Sequence, residues 1–261
     1  MVMQIHSKAG DMSTILTPDD LVLAIDTATP VQSLAIVKGK AVLFEASIQS
    51  VTKEGPGLLS LVDAALKQCE LRIEDIARFV VSRGPGAFTG LRVSMAMLKS
   101  MALTLDKPLY AASSLEAIAR EALPSHEIVA SCIDARRGEL YVSFWGPKDG
   151  TVQAISDELL MKPADFAAYV AQMFPGQKLN CVGTAFPNYT AKLMDLCDNI
   201  ICRPQNPRAA ALARIILDRY PAEMPDIALE SLEPRYIRMD DFVLPKPFDF
   251  NQPTQFRADH K

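Results

Sequence analysis

A glycine-rich segment, Ser82-Arg-Gly-Pro-Gly-Ala-Phe-Thr-Gly-Leu-Arg92, carries the residue types best suited to binding an anion. Its glycines permit positive φ and close backbone approach. The segment lies between a predicted strand and a predicted helix, whose free N–H groups favour anions and for which Thr89 is the expected cap. On this pattern, the candidates for binding a nucleotide or a phosphate are Arg83, Gly84, Gly86 and Arg92.

The spacing of these glycines matches neither of the common nucleotide-binding loops. No Gly-Lys-Ser/Thr follows, and the glycines fall as GxGxxxG rather than GxGxxG. A tight turn that only joins strand to helix explains the segment equally well. Both interpretations of the loop therefore stay open at this point.

The loop Asp26-Thr-Ala-Thr29, after the first apolar run, is a second place where a nucleotide could bind. Phosphate-binding hairpins need glycine there so that backbone N–H groups reach the phosphate. Here Ala28 adds a Cβ and Pro30 lacks an N–H. We therefore expect no tight binding of ATP by this chain alone, and Asp26 could instead cap its own turn.

The chain offers little for metal or nucleophilic chemistry. Its three histidines, His6, His126 and His260, form no i, i+4 pair, and its cysteines form no CxxC. We expect no metal site and no catalytic residue. The five cysteines, expected to be small buried hydrophobic residues in a reducing compartment, are Cys69, Cys132, Cys181, Cys197 and Cys202.

Two helices in the first half are unusually apolar. The helix predicted over 90–105 carries apolar residues, several of them methionine, around nearly its whole circumference, and the helix predicted over 58–69 is apolar over a wide arc. Either these helices are buried on several sides or one face contacts another protein. Methionine suits an adaptable contact surface, although filling core gaps is its commoner use.

The order of predicted elements positions these segments. Three adjacent strands precede alternating helices and strands, which gives a mixed α/β sheet covered by helices. We divide the chain into a flexible extension (1–20), a first lobe (21–125), a second lobe (126–240) and a flexible tail (241–261). Two weaker signals are the charged turn 134–139 and the stretch 232–238, which could lay Tyr236 against the body.

Composition excludes several classes of protein. Of the 261 residues 49% are hydrophobic and 22% charged, which is typical of a globular chain. The net charge of −4 provides no basic field for binding nucleic acid directly. No apolar run is long enough to span a membrane. We expect a soluble protein of the cytoplasm.

Four segments in this order resemble the TsaB family, also known as YeaZ. They are 23–29, 83–92, 134–139 and 233–238, and the similarity covers about residues 21–240. The resemblance implies an actin/Hsp70-like ATPase (ASKHA) fold with two lobes. It also implies a non-catalytic role in forming threonylcarbamoyladenosine, the modified base beside the anticodon of tRNAs that read codons beginning with A.

The resemblance further implies partners. Such a protein pairs through its first-lobe helices with a catalytic TsaD subunit, of which it is a paralogue, while a TsaE-like ATPase joins the pair. ATP or ADP and tRNA are expected only in that complex, and self-pairing is expected when the chain is alone. The residues that we predict at the interface are Leu58, Leu61, Val62, Met95, Leu98 and Met101.

Two other functions stay open. The glycine loop at a helix start would also suit a stand-alone kinase or ATPase of the same fold. A hydrolase is suggested only by an older peptidase label of the family, and no residue pattern in the chain supports it.

Overall fold

A computed structural model describes residues 20–49, 57–122, 128–148, 151–186, 188–219 and 231–237. The three histidines, the extension predicted over 1–20 apart from Asp20, and the tail predicted over 241–261 lie outside these residues. No helix in the described ranges has the length and hydropathy needed to cross a bilayer.

The first sheet has five strands in the order β3-β2-β1-β4-β5. β1 pairs antiparallel with β2 and parallel with β4, so the sheet is mixed, as predicted. A hairpin meander produces the antiparallel half, and two helical crossovers produce the parallel half. The strands are β1 (Leu21–Asp26), β2 (Val31–Lys38), β3 (Ala41–Gln49), β4 (Arg78–Ser82) and β5 (Leu109–Ala112).

Helices cover both faces of this sheet. On one face lie α1 (Leu58–Gln68) and α2 (Phe88–Leu105), whose buried residues join those of the strands in one apolar core. On the other face lies α6 (Ala209–Arg219), which presents small and branched side chains to Val22, Ala24 and Val80. A sheet covered on both faces explains why the central strands β1 and β4 are buried along almost their whole length.

The second sheet repeats the topology of the first. Its order is β11-β10-β6-β7-β8, with β9 paired to β7, and the meander β6-β7-β8 continues into strands parallel to β6. The fold therefore contains two copies of one supersecondary unit, although the sequence shows no repeat. The strands are β6 (Ile128–Arg136), β7 (Glu139–Lys148), β8 (Thr151–Ala154), β9 (Leu159–Met161), β10 (Leu179–Gly183) and β11 (Ile200–Pro204).

Three helices complete the second half. α4 (Pro163–Met173) and α5 (Thr190–Leu196) cover one face of the second sheet, and α3 (Ser114–Ala122) packs on its other face. α3 also contacts α6, the helix that packs on the first sheet. It therefore lies between the two sheets. This two-lobed arrangement of mixed sheets flanked by helices is the predicted α/β fold class.

One sequence prediction about these elements is wrong. The chain after residue 126 does not stay in one lobe, because α6 packs on the first sheet and Leu232 belongs to the first-lobe core. At the start of α3 the Ser113 hydroxyl accepts the N–H of Glu116 at 3.3 Å, while the Ser114 hydroxyl donates to Asp26. The strands β8, β9 and β11 and the helix α5 had no prediction.

Candidate functional site

The glycine-rich loop packs tightly on the loop that follows β1. A Cβ on Gly86 would lie 2.2 Å from the carbonyl oxygen of Ala28, and a Cβ on Gly90 would lie 2.2 Å from that of Thr27. The N–H of Ala87 donates to the Ala28 oxygen at 2.7 Å. Glycine is required at both positions because the two backbones touch.

Side chains fix the same contact. The Thr27 hydroxyl donates to the carbonyl oxygen of Gly90 at 2.8 Å and lies 2.7 Å from the hydroxyl of Ser94. Thr89, the predicted cap, is exposed within the helix, which begins at Phe88 without a side-chain cap. The N-terminus of α2 is thus held by the β1 loop rather than by its own cap.

Asp26 lies at the centre of this contact, where the carboxyl ends of β1, β4 and β5 meet. One carboxylate oxygen accepts the N–H of Ala28 at 2.8 Å. Asp26 therefore caps its own turn, which is one of the two roles that the sequence suggests for it. The other carboxylate oxygen accepts the hydroxyl of Ser114 at 2.7 Å. The side chain is fully buried, and this burial raises the pKa of Asp26, while the hydrogen bonds from Ser114 and Ala28 partly offset it.

The structure does not gather the four predicted anion-binding residues around one space. Gly84 has φ +94°, and a Cβ there would lie 2.8 Å from Leu91. Gly86 faces the carbonyl of Ala28, and a carbonyl oxygen is an acceptor that does not favour an anion. Arg83 follows β4 and contacts the segment 231–237, since its carbonyl accepts the N–H of Arg235 at 2.7 Å. Nucleotide binding stays a prediction, but the glycines have a structural explanation.

Arg92, the fourth of these residues, belongs to an aromatic cluster on the surface. Its guanidinium carbon lies 3.7 Å from the centre of the Phe88 ring and 5.7 Å from that of Tyr236. The two rings are 5.1 Å apart. This confirms that Tyr236 lies against the body, and it brings the segment 231–237 onto α2.

A groove of about 350 Å³ runs beside this cluster. Arg92, Ala96 and Lys99 of α2 form one wall, and Leu232 and Pro234 contribute to the other. Met95 and Tyr236 add to its lining, and its charged residues are Arg92, Lys99 and Glu233.

The six predicted interface residues lie mainly inside the lobe. Five are less than a tenth exposed and pack on the first sheet, and Met101 is half-buried against the same core. The prediction is therefore wrong about the face of each helix, because the apolar stripe that we chose is the one that the sheet buries. The five buried residues are Leu58, Leu61, Val62, Met95 and Leu98.

The opposite face of α2 is exposed and carries no charge. Val93 is 52% exposed and Leu103 61%, and Leu59 of the neighbouring α1 is 62% exposed. We call this surface the outward face. Its α2 residues are Thr89, Val93, Ala96, Ser100, Leu103 and Thr104.

Sequence reasoning could have found the outward face. The only charged residues in α2 are Arg92 and Lys99, seven apart and thus on one side of the helix. An exposed helix face without charge is unusual, since such a face is normally polar. The apolar circumference by itself does not indicate which side of the helix the sheet buries.

The charged turn of the second lobe, predicted as a tight turn, connects β6 to β7. Arg136, Arg137 and Gly138 all have positive φ. Asp134 accepts the hydroxyl of Tyr189 and the side-chain amide of Asn188, both at 3.3 Å. Burial first and the nearby Asp134 second raise the pKa of Tyr189. The turn is thereby attached to the segment before α5.

Within the described ranges, no three side chains of His, Cys, Asp or Glu are grouped closely enough to hold a metal ion.

Comparison with known proteins finds a matching family model and several relatives. The family model described as TsaD, tRNA N6-adenosine threonylcarbamoyltransferase, matches residues 57–201. Among curated relatives, the threonylcarbamoyladenosine biosynthesis protein TsaB of Bacillus subtilis is 30% identical over 141 residues, which are 54% of this chain and 62% of the relative. The Escherichia coli protein of the same name is 31% identical over 147 residues, with the same shares. The matched part is thus less than two thirds of either relative.

A solved structure extends the likeness in fold. A Pseudomonas aeruginosa protein described as similar to the peptidase YEAZ has a TM-score of 0.71 and 24% identity, covering 84% of this chain and all (100%) of that one. A second structure, YeaZ from the same organism, has a TM-score of 0.62, covering 77% of this chain and 93% of its own.

Fold and family model together define a two-lobed mixed α/β protein that is related to TsaD. The chain belongs to the family that this model describes as TsaD, tRNA N6-adenosine threonylcarbamoyltransferase.

Proposed function

We propose that the chain is the non-catalytic partner in the complex that forms threonylcarbamoyladenosine beside the anticodon of tRNA. Its relatives named TsaB are biosynthesis proteins for this base, and the matching family model describes the transferase. The observation that carries the proposal is the outward face, an exposed and uncharged helical surface of the first lobe.

The outward face suits a helical partner. Ala96 and Ser100 stand one turn apart along its centre, so a second helix can approach closely there. Val93 and Leu103 provide apolar side chains on either side, and Leu59 of α1 extends the surface. Burial of these exposed side chains would supply the main driving force for association. The partner that we propose is the TsaD-like subunit, and a second copy of the chain would occupy the same face when that subunit is absent.

The remaining components enter through the complex. The net charge of −4 gives this chain little attraction for tRNA, so phosphate contacts are assigned to the partner. We also assign ATP or ADP to the complex, together with a TsaE-like ATPase. The reason is that the β1 loop of this chain has Ala28 where a phosphate-binding turn would have glycine. A reaction on tRNA would place the protein in the cytoplasm.

Co-purification with a TsaD-like subunit tests the proposal. The variant Val93→Glu plus Leu103→Glu places two charges on the outward face without touching the core, and it should lose the complex. Ile201→Glu is the matched control, because Ile201 is 45% exposed on β11 of the other lobe. Circular dichroism and thermal unfolding must show that both variants stay folded.

A reconstituted modification assay separates a partner from an enzyme. Formation of threonylcarbamoyladenosine by TsaD, TsaE and the synthase that supplies threonylcarbamoyl-adenylate should stop when this chain is omitted. It should also stop with the Val93/Leu103 variant and continue with the Ile201 control. Full modification without the chain contradicts the proposal. Binding of ATP by the isolated chain in calorimetry would favour the kinase or ATPase alternative.

A further inference from the structure

The second lobe brings two cysteines into direct register on neighbouring strands. Cys181 of β10 and Cys202 of β11 are paired positions of the parallel ladder. We propose that Cys181 and Cys202 form a reactive dithiol, a site that is oxidised to a disulfide by hydroperoxides and that binds thiol-seeking arsenicals. This inference stands apart from the proposed function, because it uses neither the outward face nor a partner.

The backbone geometry allows a bond between the two sulfurs. Neighbouring strands lie about 4.7–4.9 Å apart, and disulfides span Cα separations of about 4.4–6.8 Å. Paired residues on adjacent strands also point to the same face of the sheet. Both cysteines pack in the same apolar core under α4 and α5, so their side chains share one face of the sheet.

The two thiols differ in access and in acidity. Among the described strands β11 lies at the edge of the sheet, and Cys202 is half-buried, whereas Cys181 is fully buried. The neighbouring Cys181 thiol lowers the pKa of Cys202. The neighbouring Cys202, together with burial, raises the pKa of Cys181. Because the thiolate is the nucleophile, Cys202 reacts first and Cys181 second.

The reaction is balanced with hydrogen peroxide as the oxidant. The Cys202 thiolate attacks one peroxide oxygen, the O–O bond breaks, and the leaving hydroxide takes up the thiol proton as water. The Cys181 sulfur then attacks the sulfur of the resulting sulfenic acid. The S–O bond breaks and its oxygen leaves as water with the Cys181 proton. Two thiols and one peroxide thus give one disulfide and two waters.

The other cysteines serve as controls. Cys132 lies on β6, where its paired position on β10 is Gly183 rather than a cysteine. Cys197 follows α5 and lies outside the strands. Cys69 is half-buried at the end of α1 in the other lobe. None of the three has a cysteine as its ladder partner.

The test is mass spectrometry of the full chain treated with hydrogen peroxide. The wild type and Cys69→Ser should each lose two hydrogens, reversibly with a reductant, and peptide mapping should join Cys181 to Cys202. Cys181→Ser and Cys202→Ser should not lose them. A wild-type chain without the mass loss, or one with another pairing, overturns the proposal.

Phenylarsine oxide gives a second readout that needs no oxidant. It bridges two thiols with loss of one water, so one phenylarsenic group should add to wild type and to Cys132→Ser but to neither Cys181→Ser nor Cys202→Ser. Circular dichroism confirms that the serine variants are folded. Equal labelling of all variants would assign the reactivity to other thiols and remove the proposed pair.

Discussion

The Nε–H of Arg92 donates a hydrogen bond to the hydroxyl of Tyr236 at 2.9 Å, joining positions 144 residues apart. The bond connects the start of α2 to the last described segment of the chain. Glu158 of the second lobe supports the same segment, since it forms an ion pair with Arg235 at 3.1 Å and accepts the hydroxyl of Ser113. The segment 231–237 thereby contacts both lobes at the edge of the outward face.

Substitution of Tyr236 separates two parts of this contact. Tyr236→Phe loses one exposed hydrogen bond to a charged group and should lower the free energy of unfolding by less than about 1.5 kcal/mol. Tyr236→Ala also loses the contact with Phe88 and the stacking with Arg92, so it should cost about 0.5–1.5 kcal/mol more. Urea denaturation measures both values, and equal losses would show that the ring does not contribute.

The glycines of the loop are expected to tolerate no side chain. Gly86→Ala and Gly90→Ala each place a Cβ 2.2 Å from a backbone oxygen, so the β1 loop must move. We expect a destabilisation of about 1–3 kcal/mol or more, measured by urea denaturation. Gly57→Ala is the control, since a Cβ there meets nothing within 4 Å. Wild-type stability of the Gly86 variant would contradict the contact between the loops.

The two faces of α2 should respond differently to truncation. Leu98 is fully buried, and Leu98→Ala should cost about 2–5 kcal/mol by leaving a cavity. Val93 is 52% exposed, and Val93→Ala should change the free energy of unfolding by no more than about 0.5 kcal/mol. Thermal or urea unfolding of the isolated chain measures both changes in the free energy of unfolding. A large effect at Val93 would mean that its face is not open.

Asp26 should make stability depend on pH. Burial raises the pKa of this carboxyl above its ordinary value of 3.8, so the folded state holds its proton more tightly than the unfolded state. Its contribution to stability is full below that ordinary value and is lost as the pH rises through the folded pKa. Asp26→Asn keeps an acceptor for the N–H of Ala28 and cannot ionise. Unfolding free energies measured across this window should fall for wild type relative to the variant, and parallel curves would show that Asp26 does not titrate there.

Local patterns in the sequence were enough for much of the fold. The apolar run over residues 21–25 indicates the first strand, because a strand buried on both faces needs continuous apolar residues. Pro163 is typical of a helix start, because its fixed φ suits the first helical position. Short elements such as β9 and α5 were missed, since so few residues carry no clear period.

The sequence by itself determined the element types of the first lobe, the resemblance to the TsaB family and the presence of two unusually apolar helices. Only the tertiary structure decided which face of α2 the sheet buries, that α6 returns to the first lobe, and that Gly86 and Gly90 serve backbone contacts. It also placed Cys181 beside Cys202. The reason is physical: a local pattern records the period of an element, whereas its rotation, register and neighbours depend on side chains distant in sequence.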